Sequence, residues 1–117
     1  MSHYDSAAER AALDWLRLAD GDDADASWAA ASSLFRQAVS PDDWRQALKA
    51  ARNPLGPVVS RRVSDAKEAT ELPGAPDGEY VIFEFDTSFA HKRAAVETVT
   101  PMRDSDGQWR VSGYFIR

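Results

Sequence analysis

Glu79-Tyr80-Val81-Ile82-Phe83-Glu84-Phe85-Asp86-Thr87-Ser88-Phe89 is the stretch that decides the fold. Val81, Phe83, Phe85 and Phe89 share one parity, and Tyr80, Ile82, Glu84, Asp86 and Ser88 take the other. Successive side chains of a strand point to opposite faces, so this period of two specifies a β-strand with its Phe face on a core. Toward the C-terminus, Ala90 to Arg93 reads as a turn and Ala94 to Asp104 as the next strand. Asp106-Gly107 is a hairpin signal, because that pair suits the turns that join twisted antiparallel strands. Gln108 to Arg117 then closes the sheet. Toward the N-terminus, Pro73-Gly74-Ala75-Pro76-Asp77-Gly78 is a loop by composition, and Val58 to about Leu72 is a long, charged edge strand.

Before Pro57 the period changes to about 3.6. Ser6-Ala7-Ala8-Glu9 has the form of a capping box, followed by Ala8, Ala12, Trp15, Leu16 and Ala19 at helical spacing up to Asp20-Gly21. Asp25 suits an N-cap for a second helix, with Trp28, Ala31, Phe35 and Ala38 on one stripe. Ser40 caps a third, with Pro41 at its first position and Asp42 and Asp43 against its positive end. Trp44, Ala47, Leu48 and Ala51 form its apolar face, and Asn53-Pro54-Leu55-Gly56-Pro57 stops it. The expectation is a single α+β domain: three N-terminal helices packed on a curved four-stranded antiparallel β-meander. Residues 1–5 are a flexible tail, 6–53 the helical part and 57–117 the sheet.

A chain of 117 residues buries enough surface to fold without a staple. It has no cysteine, which excludes disulfides, thiol nucleophiles and thiolate zinc sites. The net charge of -5 argues against nucleic acid as a partner, because phosphate contacts need a basic surface. Arg61-Arg62 and His91-Lys92-Arg93 are the two local basic runs, and each reads as solvated charge. No apolar run is long enough for a transmembrane segment, and residues 1–10 lack the apolar core of a signal peptide. As written the chain reads as cytoplasmic; with a removed N-terminal signal it would be exported to the periplasm.

Six stretches taken in order carry a resemblance. They are Ser27-Trp28, Leu34-Phe35-Arg36, Arg52-Asn53-Pro54-Leu55-Gly56, Leu72 to Tyr80, Ala95-Val96-Glu97-Thr98-Val99 and Trp109-Arg110-Val111-Ser112-Gly113-Tyr114. Together they resemble the bacterial family called domain of unknown function 4019, from about Ala8 to the C-terminus. The resemblance implies, by analogy, an NTF2-like or cystatin-like α+β cone. It implies no activity, no cofactor and no catalytic residue. Many members look exported, whereas this sequence starts almost at its first helix.

No motif specifies a reaction. Asp20-Gly21-Asp22-Asp23-Ala24-Asp25 has the acidity of a calcium loop, but an EF-hand would need Gly at position 25 and Glu at position 31, where Asp25 and Ala31 stand. No metal site is expected. His91 reads as a turn residue; as a general base it would need an orienting partner and a pocket. Glu84 and Asp86 oppose the Phe face and suit cross-strand pairs with Arg61, Arg62 or Arg110. Glu97 has apolar flanks: paired to an arginine it is structural, unpaired it is a site candidate. Trp15, Trp28 and Trp44 sit on apolar stripes and belong to the core, and Trp109 starts the last strand half exposed.

Two functions follow. The first is a non-catalytic binding or protein-interaction module, a homodimer through an open sheet face formed by Tyr80, Ile82, Val99, Tyr114 and Ile116. The second is a pocket for a small apolar molecule, with lyase or isomerase chemistry as in some NTF2-like enzymes. Glu97, Tyr114 and His91 are its candidate catalytic residues.

Overall fold

The computed structural model describes residues 6–117, so the 1–5 tail lies outside the described residues. Helices α1 (Ser6–Asp20), α2 (Ala24–Ala30), α3 (Ser33–Ala38) and α4 (Pro41–Arg52) precede strands β1 (Val58–Ala69), β2 (Tyr80–Phe89), β3 (Lys92–Arg103) and β4 (Trp109–Ile116). The strands form one antiparallel sheet in the order β1-β2-β3-β4, a meander. The α+β architecture is the expected one, with helices on the Phe face of β2.

The helical part differs from expectation in one respect. The stripe from Trp28 to Ala38 is two helices, not one, broken at Ala31 and Ser32. Asp23, not Asp25, caps α2, its side chain accepting from the Ala26 N–H. Local propensity favours continuation, since alanine is the best helix former. Two other bonds break the run: the Ser32 N–H donates to the Val111 carbonyl on β4 (2.8 Å), and the Ser32 hydroxyl caps α3 at the Phe35 N–H. The third expected helix, now α4, starts as read, with Ser40 accepting from the Asp43 N–H.

The core joins Ala8, Ala12, Trp15, Leu16 and Ala19 of α1 to Val81, Phe83 and Phe85 of β2, Val99 of β3 and Val111 of β4. Burying a side chain such as Leu16 or Phe83 stabilises by roughly 1.5–3 kcal/mol. Trp15, Phe35 and Trp44 form an aromatic cluster with centroid separations of 5.0–6.3 Å. Both buried indole N–H groups end on one residue: Trp15 Nε1 donates to the Ser27 carbonyl (2.8 Å) and Trp44 Nε1 to the Ser27 hydroxyl (2.9 Å).

Strand register sorts the sheet residues. Phe85 faces Glu97 across β2–β3, and Glu97 faces Ile116 across β3–β4. Val99 likewise stands between Phe83 and Tyr114. Directly paired residues share a face, so Val99, Tyr114 and Ile116 lie on the helix-covered side. The proposed five-residue open face is therefore divided. Ile82 lies on the open side, half buried; Tyr80 has that parity but is covered, its hydroxyl donating to the Pro76 carbonyl (2.6 Å). Phe115, absent from that set, is the large apolar side chain the open face exposes, at 55%. No described helix is long and apolar enough to cross a membrane.

Candidate functional site: a buried arginine–carboxylate network

Where α1 and α4 end over the sheet, the core turns polar. Glu97, on the covered side of β3, is fully buried. Its Oε1 accepts from Arg61 Nε (2.7 Å) and the Thr87 hydroxyl (2.6 Å), and its Oε2 from the Tyr114 hydroxyl (2.5 Å). The same Tyr114 oxygen accepts from Arg52 Nη1 (3.3 Å). Arg52 Nη2 donates to Asp20 Oδ1 (2.6 Å), and Arg61 donates to both Asp20 oxygens (2.8 and 2.9 Å). Two guanidinium groups and two carboxylates thus form a chain that the Tyr114 hydroxyl closes into a ring, with Thr87 as a further donor to Glu97.

Each member is placed by a local rule. Asp20 and Arg52 close α1 and α4, the basic residue at a helix C-terminus where the macrodipole favours it. Arg61 faces Thr87 across β1–β2 on the covered side. Helix α1 packs over β2, β3 and β4, so the long arginine side chain bridges from the edge strand to Asp20. Arg52 is 6% exposed and lies 5.1 Å from the centroid of Phe89, a cation–π contact that covers the guanidinium face.

The electrostatics follow from this closure. Burial pushes the Tyr114 hydroxyl well above its usual range, and the Glu97 carboxylate beside it adds to the shift. Burial also raises Asp20, but hydrogen bonds from Arg61 and Arg52 outweigh that and hold its carboxyl below the usual value. For Arg61, burial acts downward and is overcome by hydrogen bonds to Asp20 and Glu97, so the guanidinium is held more firmly protonated. Among the described residues no buried side-chain polar atom lacks a partner.

Two of the three candidate catalytic residues, Glu97 and Tyr114, are hydrogen-bonded to each other. His91 is elsewhere, in the exposed β2–β3 turn. That turn docks on the segment after α4: the His91 N–H donates to the Leu55 carbonyl (2.8 Å) and the Ala90 N–H to the Pro57 carbonyl (2.9 Å). The imidazole lies so close to Gly56 that an added Cβ would meet it at 2.6 Å, and Gly56 has φ +74°. The positive φ favours glycine there, and any larger residue would also displace the exposed His91 ring. Glu84 and Asp86 pair on the open side with Arg117 (2.9 Å) and Arg62 (3.4 Å), not with Arg61 or Arg110.

Sequence reasoning missed Asp20, Arg52 and Thr87. Thr87 carried a signal, a hydroxyl on the parity of Val81, Phe83, Phe85 and Phe89. Arg52 and Asp20 carried none, since charged residues at helix ends are usually solvated. A second buried acid, Asp104, ties α3 to the β3–β4 turn by accepting from the Ser33 hydroxyl (2.7 Å), the Ser33 N–H (3.1 Å) and Arg110 (3.2 Å). No group of three or more His, Cys, Asp or Glu is placed to hold a metal among the described residues.

No curated protein and no solved structure matches the chain. A family model described as a protein of unknown function (DUF4019) matches residues 11–114, from within α1 to within β4, and the chain belongs to that family.

Proposed function

We propose that this chain is a non-catalytic binding domain that works through its open sheet face, with a second copy of itself as first partner. The observation that carries this reading is the closure of the Glu97 network. A general acid or base needs a free position within hydrogen-bond reach of a substrate. Both Glu97 oxygens and the Tyr114 hydroxyl are already engaged within the protein. Function then falls to the surface. The open side carries Ile82 and Phe115 interspersed with Lys67, Glu84, Thr98 and Arg117, a mixed apolar and polar face of the kind that pairs chains. Sedimentation velocity of Phe115→Asp and Ile82→Asp tests it. The wild type should sediment as a dimer and both variants as folded monomers; variants that sediment like the wild type would place the interface elsewhere.

One observation favours a second reading. A hollow of about 360 Å³ lies between α4 and the sheet, lined by Trp44, Leu48, Leu55, Lys92, Tyr114 and Ile116. That volume suits a small apolar molecule. We read the layout as NTF2-like or cystatin-like, and by that analogy a ligand between helices and sheet is in keeping, with lyase or isomerase chemistry as its enzymatic form. Layout alone assigns no function. Native mass spectrometry of the purified protein separates the two: a bare dimer favours the interaction domain, a reproducible added mass the hollow.

A further inference from the structure

The two basic runs of the sequence meet in space. Arg61-Arg62 on β1 and Arg93 on β3 line one cleft of about 430 Å³ that crosses β2, together with Ser60, Ser88 and Asp86. On a chain of net charge -5 this is a local reversal of sign. We propose that the cleft is a binding site for a small oxyanion, a phosphate or carboxylate carried on a short apolar body.

Three observations support it. First, the guanidinium groups are not equally occupied. Arg61, whose guanidinium lies on the covered side, is neutralised by Asp20 and Glu97 and leaves the cleft's charge to the other two. Arg62 meets only Asp86, the one acid lining the cleft, at 3.4 Å, with the Arg62 side chain 82% and the Asp86 side chain 47% exposed, where such a pair contributes little. Arg93 is exposed and, among the described residues, enters no ion pair. Arginine forks match the oxygens of carboxylate and phosphate, so Arg93 and the weakly paired Arg62 are the two jaws.

Second, the strands are irregular at this level. Ser60 faces Ser88, and the step from Val58 to Ser60 on β1 is opposed by the single step from Phe89 to Ser88. Across β2–β3, two residues, Arg93 and Ala94, stand between the pairs Phe89–Lys92 and Thr87–Ala95, where β2 has Ser88 alone. Both neighbours of β2 therefore bulge at Ser88. Bulges re-aim side chains and interrupt pairing, and they are over-represented beside binding sites. Here Ser88 stands on β2 between the strands that carry Arg62 and Arg93, with Ser60 facing it from β1. Third, Ala94 and Val96 form an apolar wall beside the charged jaws, which suits a ligand with an apolar body. A polyanion is disfavoured, because the acidic remainder of the surface repels it.

Calorimetric titration of the full chain tests the site, with inorganic phosphate, phenyl phosphate and benzoate as probes and sodium chloride at matched ionic strength as control. The expected result is saturable one-to-one binding of at least one probe, weakened about tenfold or more by Arg93→Gln and by Arg62→Gln, as for loss of a charge-assisted bidentate contact. Both side chains are exposed, so circular dichroism and melting temperature should not change. The relative strength of phenyl phosphate and benzoate identifies phosphate or carboxylate as the natural group. Absence of saturable binding for all three probes overturns the proposal. So does unchanged binding by the Arg62→Gln/Arg93→Gln double variant, or amide NMR shifts on titration confined to residues outside 60–62, 86–88 and 93–96.

Discussion

Beneath the helices lie two adjoining regions of the core that are held by different physics. In one, Phe35 packs edge to ring with Trp15 and Trp44, which are tilted against each other, and dispersion and burial supply most of the stability. In the other, Asp20, Arg52, Arg61, Glu97, Thr87 and Tyr114 are joined by hydrogen bonds that hold only in one geometry. They touch at Trp15 and Tyr114, whose rings are 5.1 Å apart. The first region resists loss of volume, the second resists loss of any single partner. A buried ionic network adds little net stability over a well-packed apolar one, yet removing one member leaves a charge without compensation.

That contrast can be broken most forcefully at Glu97. Glu97→Gln should cost about 3–5 kcal/mol in urea unfolding, because Arg52 and Arg61 are left to share Asp20 as their one counter-charge in the ring. A loss below about 1 kcal/mol would show that the network is not tightly closed in solution. Ser27→Ala should cost about 1–3 kcal/mol, since the buried Trp44 indole N–H is left without an acceptor while Trp15 keeps the Ser27 carbonyl. Leu16→Met, which nearly conserves volume in the apolar region, should cost less than about 1.5 kcal/mol. If Leu16→Met proves more damaging than Glu97→Gln, the distinction between the two regions fails.

The smallest effect is a slope against pH. The folded pKa of Asp20 lies below its ordinary value of 3.8. Its contribution is therefore complete above that value and is lost as pH falls through the folded one. Melting temperatures measured downward from pH 5 should fall more steeply for the wild type than for Asp20→Asn, which starts lower and lacks that titration. Parallel curves would mean that Asp20 is not coupled to the arginines.

Much of this was legible in the sequence. The alternation from Val81 to Phe89 specified the covered face of β2, and Asp106-Gly107 specified the last hairpin, with Gly107 at φ +85°. The family resemblance was legible too, in six short pieces rather than any one motif. The break at Ala31-Ser32 was hidden because its cause, the bond from Ser32 to Val111, spans most of the chain. The face of β3 was hidden for a related reason. Parity within one strand says nothing of which parity pairs with Phe85, and a one-residue slip exchanges the faces. Glu97 was visible as an acid between apolar neighbours, whereas Arg52 looked like any basic residue ending a helix.

The meander also bears on the order of assembly. Each strand pairs with its neighbour in the chain, so the sheet can be built from local hairpins, with little loop-closure entropy delaying them. The ionic ring is the opposite. Its bonds join residues separated by 32 positions for Arg52–Asp20, 41 for Arg61–Asp20 and 62 for Arg52–Tyr114. Such contacts need helices and sheet to have met, and are expected to form later than the Thr87–Glu97 and Tyr114–Glu97 bonds, which lie within single hairpins. The long-range part of the ring is then expected to act as a brake on escape from the native state: weakening Arg52–Asp20 should accelerate unfolding and leave the speed of folding nearly untouched.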